Sequence, residues 1–250
     1  MRRLLAALAL SLLASAAQAQ PAIDPLGSPM WDFHRQRLLG NGPVVFDERV
    51  RLAVPPFAED ARQVPLEIDA RGLGQPVLRM LAWAELNPIA HLFTLQLQSE
   101  RLQPYIALRF RVEQATLIRA AAQTADGVWH VATGHVDAAG GGCTAPSVVR
   151  AQPGWEDRLG QVLGARFAQG GGERLRLSVS HPMDNGLVGG IPEFYLERAE
   201  LREAGGASLA VLEMFPAVSE NPTLGFAVQG VGATELLLRD NNGNEFAAEL

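Results

Sequence analysis

Val64-Pro65-Leu66-Glu67-Ile68-Asp69 places a large aliphatic residue at every second position, with Pro65, Glu67 and Asp69 between. A period of two puts Val64, Leu66 and Ile68 on one face of an extended chain and Pro65, Glu67 and Asp69 on the other, the pattern of a half-buried β-strand. The alternation recurs upstream at Val50, Leu52 and Val54, and downstream over residues 91–98, 106–112 and 128–136. Residues 77–86 form a longer apolar run, ended at Asn87-Pro88 because the residue before a proline is driven out of the helical region. Turn pairs such as Arg71-Gly72 and Asp126-Gly127 lie between these segments. Many short strands with regular turns predict an all-β sandwich. A helical signal comes earlier, at residues 30–39. There Ser28 suits the N-cap, Pro29 the first helical position and Gly40-Asn41-Gly42-Pro43 the stop, with Trp31, Leu38 and Phe33 available to pack on the domain.

Composition changes after residue 137. Gly140, Gly141, Gly142, Pro146 and Pro153 fall among small residues, which reads as a linker or long loop. Strand patterns then resume: residues 159–167 as a strand or a short helix, then Leu175, Leu177 and Val179, then 194–201, 208–214, 224–228 and 235–239. Gly170-Gly171-Gly172 reads as a turn and Asp240-Asn241-Asn242-Gly243 as a hairpin. The expected organisation is a leader over residues 1–19, a sandwich with an N-terminal helix over 20–137, a Gly/Pro-rich linker over 138–157 and a second sandwich over 158–250. No internal repeat is visible.

The leader has the form of a secretory signal: Arg2 and Arg3, an apolar run over residues 4–13, and a small-x-small site at Ala17-Gln18-Ala19. The run is too short for a bilayer, which needs about 20 residues. Removing Arg2 and Arg3 with the leader takes the formal charge from -6 to -8, which argues against nucleic acid or an anionic membrane as partner.

Cys143 is the one cysteine, in Gly140-Gly141-Gly142-Cys143-Thr144-Ala145-Pro146. In an exported chain it cannot close an internal disulfide, so its thiol is free or pairs with another molecule. The preceding glycines remove side-chain cover and predict a mobile, exposed arm, with Gly140, Gly141, Gly142 and Thr144 flanking a thiol that can be offered to a partner. His181-Pro182-Met183 could in principle bind copper, but no His/Cys spacing matches a zinc site, and His130 and His135 point to opposite faces of one strand. No metal and no cofactor is expected. Gly-x-Ser-x-Gly is missing, and the carboxylate pairs Glu59-Asp60 and Glu156-Asp157 read as solvated surface, so no activated nucleophile or acid/base pair points to an enzyme.

The first half resembles SoxY, the sulfur-carrying subunit of the bacterial thiosulfate-oxidising system. The resemblance lies in Leu52-Ala53-Val54-Pro55-Pro56-Phe57-Ala58-Glu59-Asp60, Val64-Pro65-Leu66, Glu85-Leu86-Asn87-Pro88 and Gly141-Gly142-Cys143. The second half resembles SoxZ in Ser180-His181-Pro182-Met183-Asp184-Asn185-Gly186, Ile191-Pro192 and Val218-Ser219-Glu220-Asn221-Pro222. Their order on one polypeptide is similar to fused SoxYZ-like carriers associated with quinoprotein dehydrogenases. The resemblance implies two immunoglobulin-like sandwiches and a periplasmic, non-catalytic carrier. A sulfur-containing or other thiol-reactive group would attach covalently at Cys143, with sulfur-oxidation enzymes or a quinoprotein dehydrogenase as partners. The chain departs from the family's C-terminal Gly-Gly-Cys-Gly-Gly arm, because Thr144-Ala145-Pro146 follows Cys143 and the arm is tied at both ends. A two-ended loop costs entropy to stretch. The alternative is a binding or scaffold module for a periplasmic dehydrogenase, with Cys143 incidental.

Overall fold

The computed structural model describes residues 22–250; the expected leader lies outside them. The fold is all-β, as expected. Helix α1 (Trp31–Leu38) is followed in the first half by β1 (Val44–Phe46), β2 (Arg51–Ala53), β3 (Phe57–Ala58), β4 (Val64–Asp69), β5 (Val77–Ala84), β6 (His91–Leu97), β7 (Leu102–Phe110), β8 (Thr116–Thr124) and β9 (Trp129–Ala138). The second half supplies β10 (Val162–Gln169), β11 (Gly172–Val179), β12 (Leu196–Glu203), β13 (Ser208–Met214), β14 (Thr223–Val228), β15 (Thr234–Asp240) and β16 (Glu245–Glu249). The period-two reading holds in detail at β4, where Val64, Leu66 and Ile68 are buried and Pro65 faces out. Of residues 159–167, 162–167 are strand rather than helix, and 159–161 lie in the turn before it.

The halves are two immunoglobulin-like sandwiches fused edge to edge. A ten-stranded sheet runs β1-β9-β8-β5-β6-β13-β12-β15-β16 with β3 beside β9, and a six-stranded sheet runs β10-β11-β14-β7-β4-β2. Both cross the boundary between halves. In one, β13 pairs antiparallel with β6 from Ala210 opposite Leu97 to Met214 opposite Phe93. In the other, β14 pairs with β7, with Gly225 opposite Ala107. Leu66, Ile106 and Leu95 from one half and Leu177, Leu212 and Phe226 from the other belong to one continuous core between the sheets. Backbone hydrogen bonds and shared apolar burial therefore hold the halves together, in addition to the connecting chain.

The described residues before β1 lie over the ten-stranded sheet. Trp31 packs with Trp83, Trp129 and Val131 in a second cluster. Helix α1 starts after Met30, and Ser28 accepts the Met30 N–H at 3.2 Å, so Pro29 sits just ahead of the helix rather than inside it. Phe33, expected to pack, is exposed because it lies on the outer side of the helix. β8 escaped the sequence reading. Its centre carries Arg119, which is 0% exposed and forks onto Asp24 at 2.8 Å through both terminal nitrogens while Nε reaches Glu85 at 2.8 Å. A buried guanidinium needs this degree of pairing, and it fastens the Glu85-Leu86-Asn87 turn from which the functional site is built.

Candidate functional site around Cys143

Asn87 begins the site. Its Nδ2 donates to the Arg111 carbonyl at 2.7 Å, and its Oδ1 accepts the Glu113 N–H at 3.0 Å. This fixes the short segment after β7, and Glu113 then grips the cysteine arm. The Gly141 N–H donates to the Glu113 carbonyl at 3.1 Å, the Cys143 N–H to Glu113 Oε2 at 3.0 Å, and Thr144 Oγ1 to Glu113 Oε1 at 3.1 Å. Gly142 N–H donates to the Val112 carbonyl at 3.1 Å.

The second half holds the other side. Asn185 Nδ2 donates to the Cys143 carbonyl at 2.6 Å. Glu220 Oε2 accepts from Ser147 Oγ at 2.7 Å and from the Val148 N–H at 2.9 Å. Arg150 pairs with Asp184 and lies over the Trp155 ring, 4.8 Å from its centroid. The loops that carry Asn185 and Glu220 are themselves laced together. The Asn221 N–H donates to the His181 carbonyl at 2.8 Å, and the His181 N–H to Asn221 Oδ1 at 3.1 Å. Asn221 and Met183 adopt positive φ of 46° and 49° to make these turns. Arg111, buried, donates to the Pro182 carbonyl at 3.3 Å.

The thiol of Cys143 is therefore enclosed. Its residue is 1% exposed, which corrects the expectation of an exposed, mobile arm. The physical reason lies in Gly142. A Cβ there would stand 2.1 Å from the Ala61 carbonyl oxygen and 2.4 Å from that of Val112. The glycine permits close approach of backbone to backbone instead of providing slack. Gly140 and Gly141, at φ of 103° and 80°, turn the chain into this position. Burial pushes the Cys143 thiol up to about 12, the Glu113 carboxylate adds to the rise, and the Arg111 guanidinium opposes it. At neutral pH the enclosed sulfur is a thiol, and the nucleophilic thiolate is suppressed. Burial in turn lowers the pKa of Arg111, against the pull of Glu220, Cys143 and Asp184.

Gly140, Gly141, Gly142, Cys143 and Thr144 form the docked segment. Glu113, Arg111 and Arg150 were missed, and no local pattern marks them. Asn185, Asp184 and Glu220 sit in stretches that the reading quoted, but without a role. His181 and Met183 serve the loop itself: the Met183 N–H donates to His181 Nδ1 at 3.1 Å, and Met183 Sδ accepts the Leu196 N–H at 3.3 Å. Burial lowers the His181 pKa to about 4, partly countered by Asp240. Among the described residues, no three His, Cys, Asp or Glu side chains converge as metal ligands.

The SoxY family model, "Sulfur oxidation protein SoxY", matches residues 35–143, ending on the buried cysteine. The SoxZ model, "Sulphur oxidation protein SoxZ", matches residues 164–250. Among solved structures, the sulfur carrier protein SoxY from Chlorobium limicola f thiosulfatophilum is 16% identical, with 43% of this chain and 90% of that chain covered and a TM-score of 0.39. No relative is found among curated proteins.

Proposed function

The chain carries a SoxY-family domain and a SoxZ-family domain in one polypeptide, and on that premise we propose that it is a carrier of sulfur oxidation bearing its cargo on Cys143. One observation carries the reading. The one thiol lies at the end of the SoxY half, on an arm outside both sheets that side chains from both halves grip. The protein itself catalyses nothing in this reading; a partner oxidoreductase joins a reduced sulfur compound to Cys143, the S–H proton leaving and two electrons passing to that partner as the S–S bond forms, and the protein presents the S-linked adduct to sulfur-oxidation enzymes. The gripped arm is the resting state, its thiol protonated and shielded. Release into solvent returns the thiol toward an ordinary pKa near 8.5 and restores its nucleophilicity. A partner that binds only the released arm shifts the equilibrium toward release by its differential affinity. The two-ended tether limits reach, so the arm leaves as a loop whose tip is Cys143. The proposed compartment is the periplasm, on the strength of the leader. A quinoprotein dehydrogenase joins the proposed partners because the order of the halves resembles carriers associated with such enzymes.

The burial of Cys143 favours a second reading, a docking module for a periplasmic enzyme in which the cysteine serves packing. Intact-mass measurement on protein purified from its own host during oxidation of a reduced sulfur compound separates the two. The carrier reading expects a mass adduct that disappears in Cys143→Ser, together with loss of oxidation by the variant host. An unmodified thiol and undiminished oxidation by that host would leave the docking module.

A further inference from the structure

The outer face of the six-stranded sheet carries a trough of about 360 Å³ that spans the seam between the halves and lies apart from the thiol arm. Its floor is Ala107 on β7 and Gly225 on β14, which face each other across the seam. Val54, Pro55 and Pro65 raise one wall. Arg109, Arg174 and Arg176 stand around the trough, with Glu67 as its one acidic lining residue. Glu67 is already engaged by Arg174 at 3.3 Å, and Arg174 also lies over the Tyr105 ring. Arg109 and Arg176 are exposed, and among the described residues neither pairs with a carboxylate or makes a side-chain hydrogen bond. A chain of formal charge -6 thus collects positive charge at one apolar depression. The volume falls within the ~300–1,000 Å³ usual for small-molecule sites, which combine apolar walls with a few directing polar groups. Free guanidinium groups select carboxylate-like and sulfonate-like oxyanions through paired N–H donors.

We propose that this trough is a binding site for a small organic anion, a carboxylate or sulfonate on an apolar body, whose head group lies between Arg109 and Arg176 and whose body rests on Ala107 and Gly225. The apolar walls set it apart from an inorganic-anion site, and the two free arginines from a merely greasy face. The site is independent of Cys143, so it stands or falls separately from the carrier reading.

The test is calorimetric titration of the full chain with octanesulfonate, in parallel with inorganic sulfate and with the neutral octyl glucoside. One saturable site is expected, at least roughly ten-fold tighter for octanesulfonate than for either control, a difference of about 1.4 kcal/mol. Arg109→Glu/Arg176→Glu should weaken it by roughly ten-fold or more, with thermal unfolding confirming that the exposed substitutions leave the fold intact. Arg37→Glu/Arg101→Glu, the same charge change elsewhere, should leave binding unchanged, as should Cys143→Ser. Absence of saturable binding, equal binding of octyl glucoside, or equal loss in both double variants would overturn the proposal.

Discussion

The chain contains two runs of three glycines, and they lead the chain to different places: one turns a hairpin within a sheet, the other carries Cys143 into a buried site. Gly170-Gly171-Gly172 closes the hairpin between β10 and β11, and added Cβ atoms on Gly170 and Gly171 would meet nothing within 4 Å. Gly140-Gly141-Gly142 leads inward, and its last member is pressed between two carbonyls with Cys143 buried behind it. Composition is the same in both runs, so it does not determine burial. What differs is the partner surface. The hairpin run turns between β10 and β11, with only Gly172 held close to a neighbouring strand at the Val228 carbonyl, whereas the arm that follows the other run is received by Glu113, Asn185 and Glu220.

The sharpest way to break this contrast is Gly142→Ala. The new methyl group cannot fit against the Ala61 and Val112 carbonyls, and overpacking of this kind costs about 1–3 kcal/mol. The cheapest relief is loss of the docked arm, so thiol labelling of Gly142→Ala should accelerate by roughly a hundred-fold, equivalent to about 2.7 kcal/mol. The matched change in the other run, Gly171→Ala, meets open space but sits at φ 83°. It should cost about 1–2 kcal/mol in thermal stability with the labelling rate unchanged. Equal labelling of both variants would abolish the contrast.

Glu113→Gln comes next. It keeps the size of the side chain but removes the charge that supports two donors from the arm, the Cys143 N–H and Thr144 Oγ1, and hydrogen bonds to a charged group are worth about 1.5–3 kcal/mol. Labelling should rise by roughly ten-fold, and the part of the thiol's upward shift that comes from Glu113 should vanish, while the larger part from burial remains.

The sequence already disclosed one side of the contrast and concealed the other. The alternation at Val64–Asp69 and at Leu175, Leu177 and Val179 is a local consequence of half-burial, and those strands were legible. β8 was not, because Ala120-Ala121-Ala122 carries little period and Arg119 at a buried position is intelligible only beside Asp24 and Glu85, far away in the chain. The site divides in the same way. Cys143 and its glycines stand out in a linear reading. The contacts that enclose the thiol join it to Glu113, 30 residues earlier, and to Asn185, 42 residues later. No spacing rule reaches that far, so the glycines read as slack.

Two pH effects sharpen the account further. The docked thiol has a pKa above that of an exposed one, so docking is at full strength below about 8.5 and declines as pH rises from there toward about 12. Labelling should therefore climb above pH 9 faster than thiolate formation in the unfolded chain explains. His181 works in the other direction and more weakly. Its folded pKa, about 4, lies below the ordinary 6.5, so its contribution is complete above 6.5 and is lost as pH falls toward 4. The loops holding Asn185 and Glu220 should loosen in that window, seen as a modest fall in melting temperature that His181→Asn alters.

The arm rests docked with Cys143 enclosed. This docking is tested most directly by the rate at which a small disulfide reagent labels the native chain at neutral pH, relative to the same chain unfolded in urea. The account predicts native labelling slower by roughly a hundred-fold or more, with the gap closed by Gly142→Ala and left open by Gly171→Ala. Equal rates in the native and unfolded chains would contradict it.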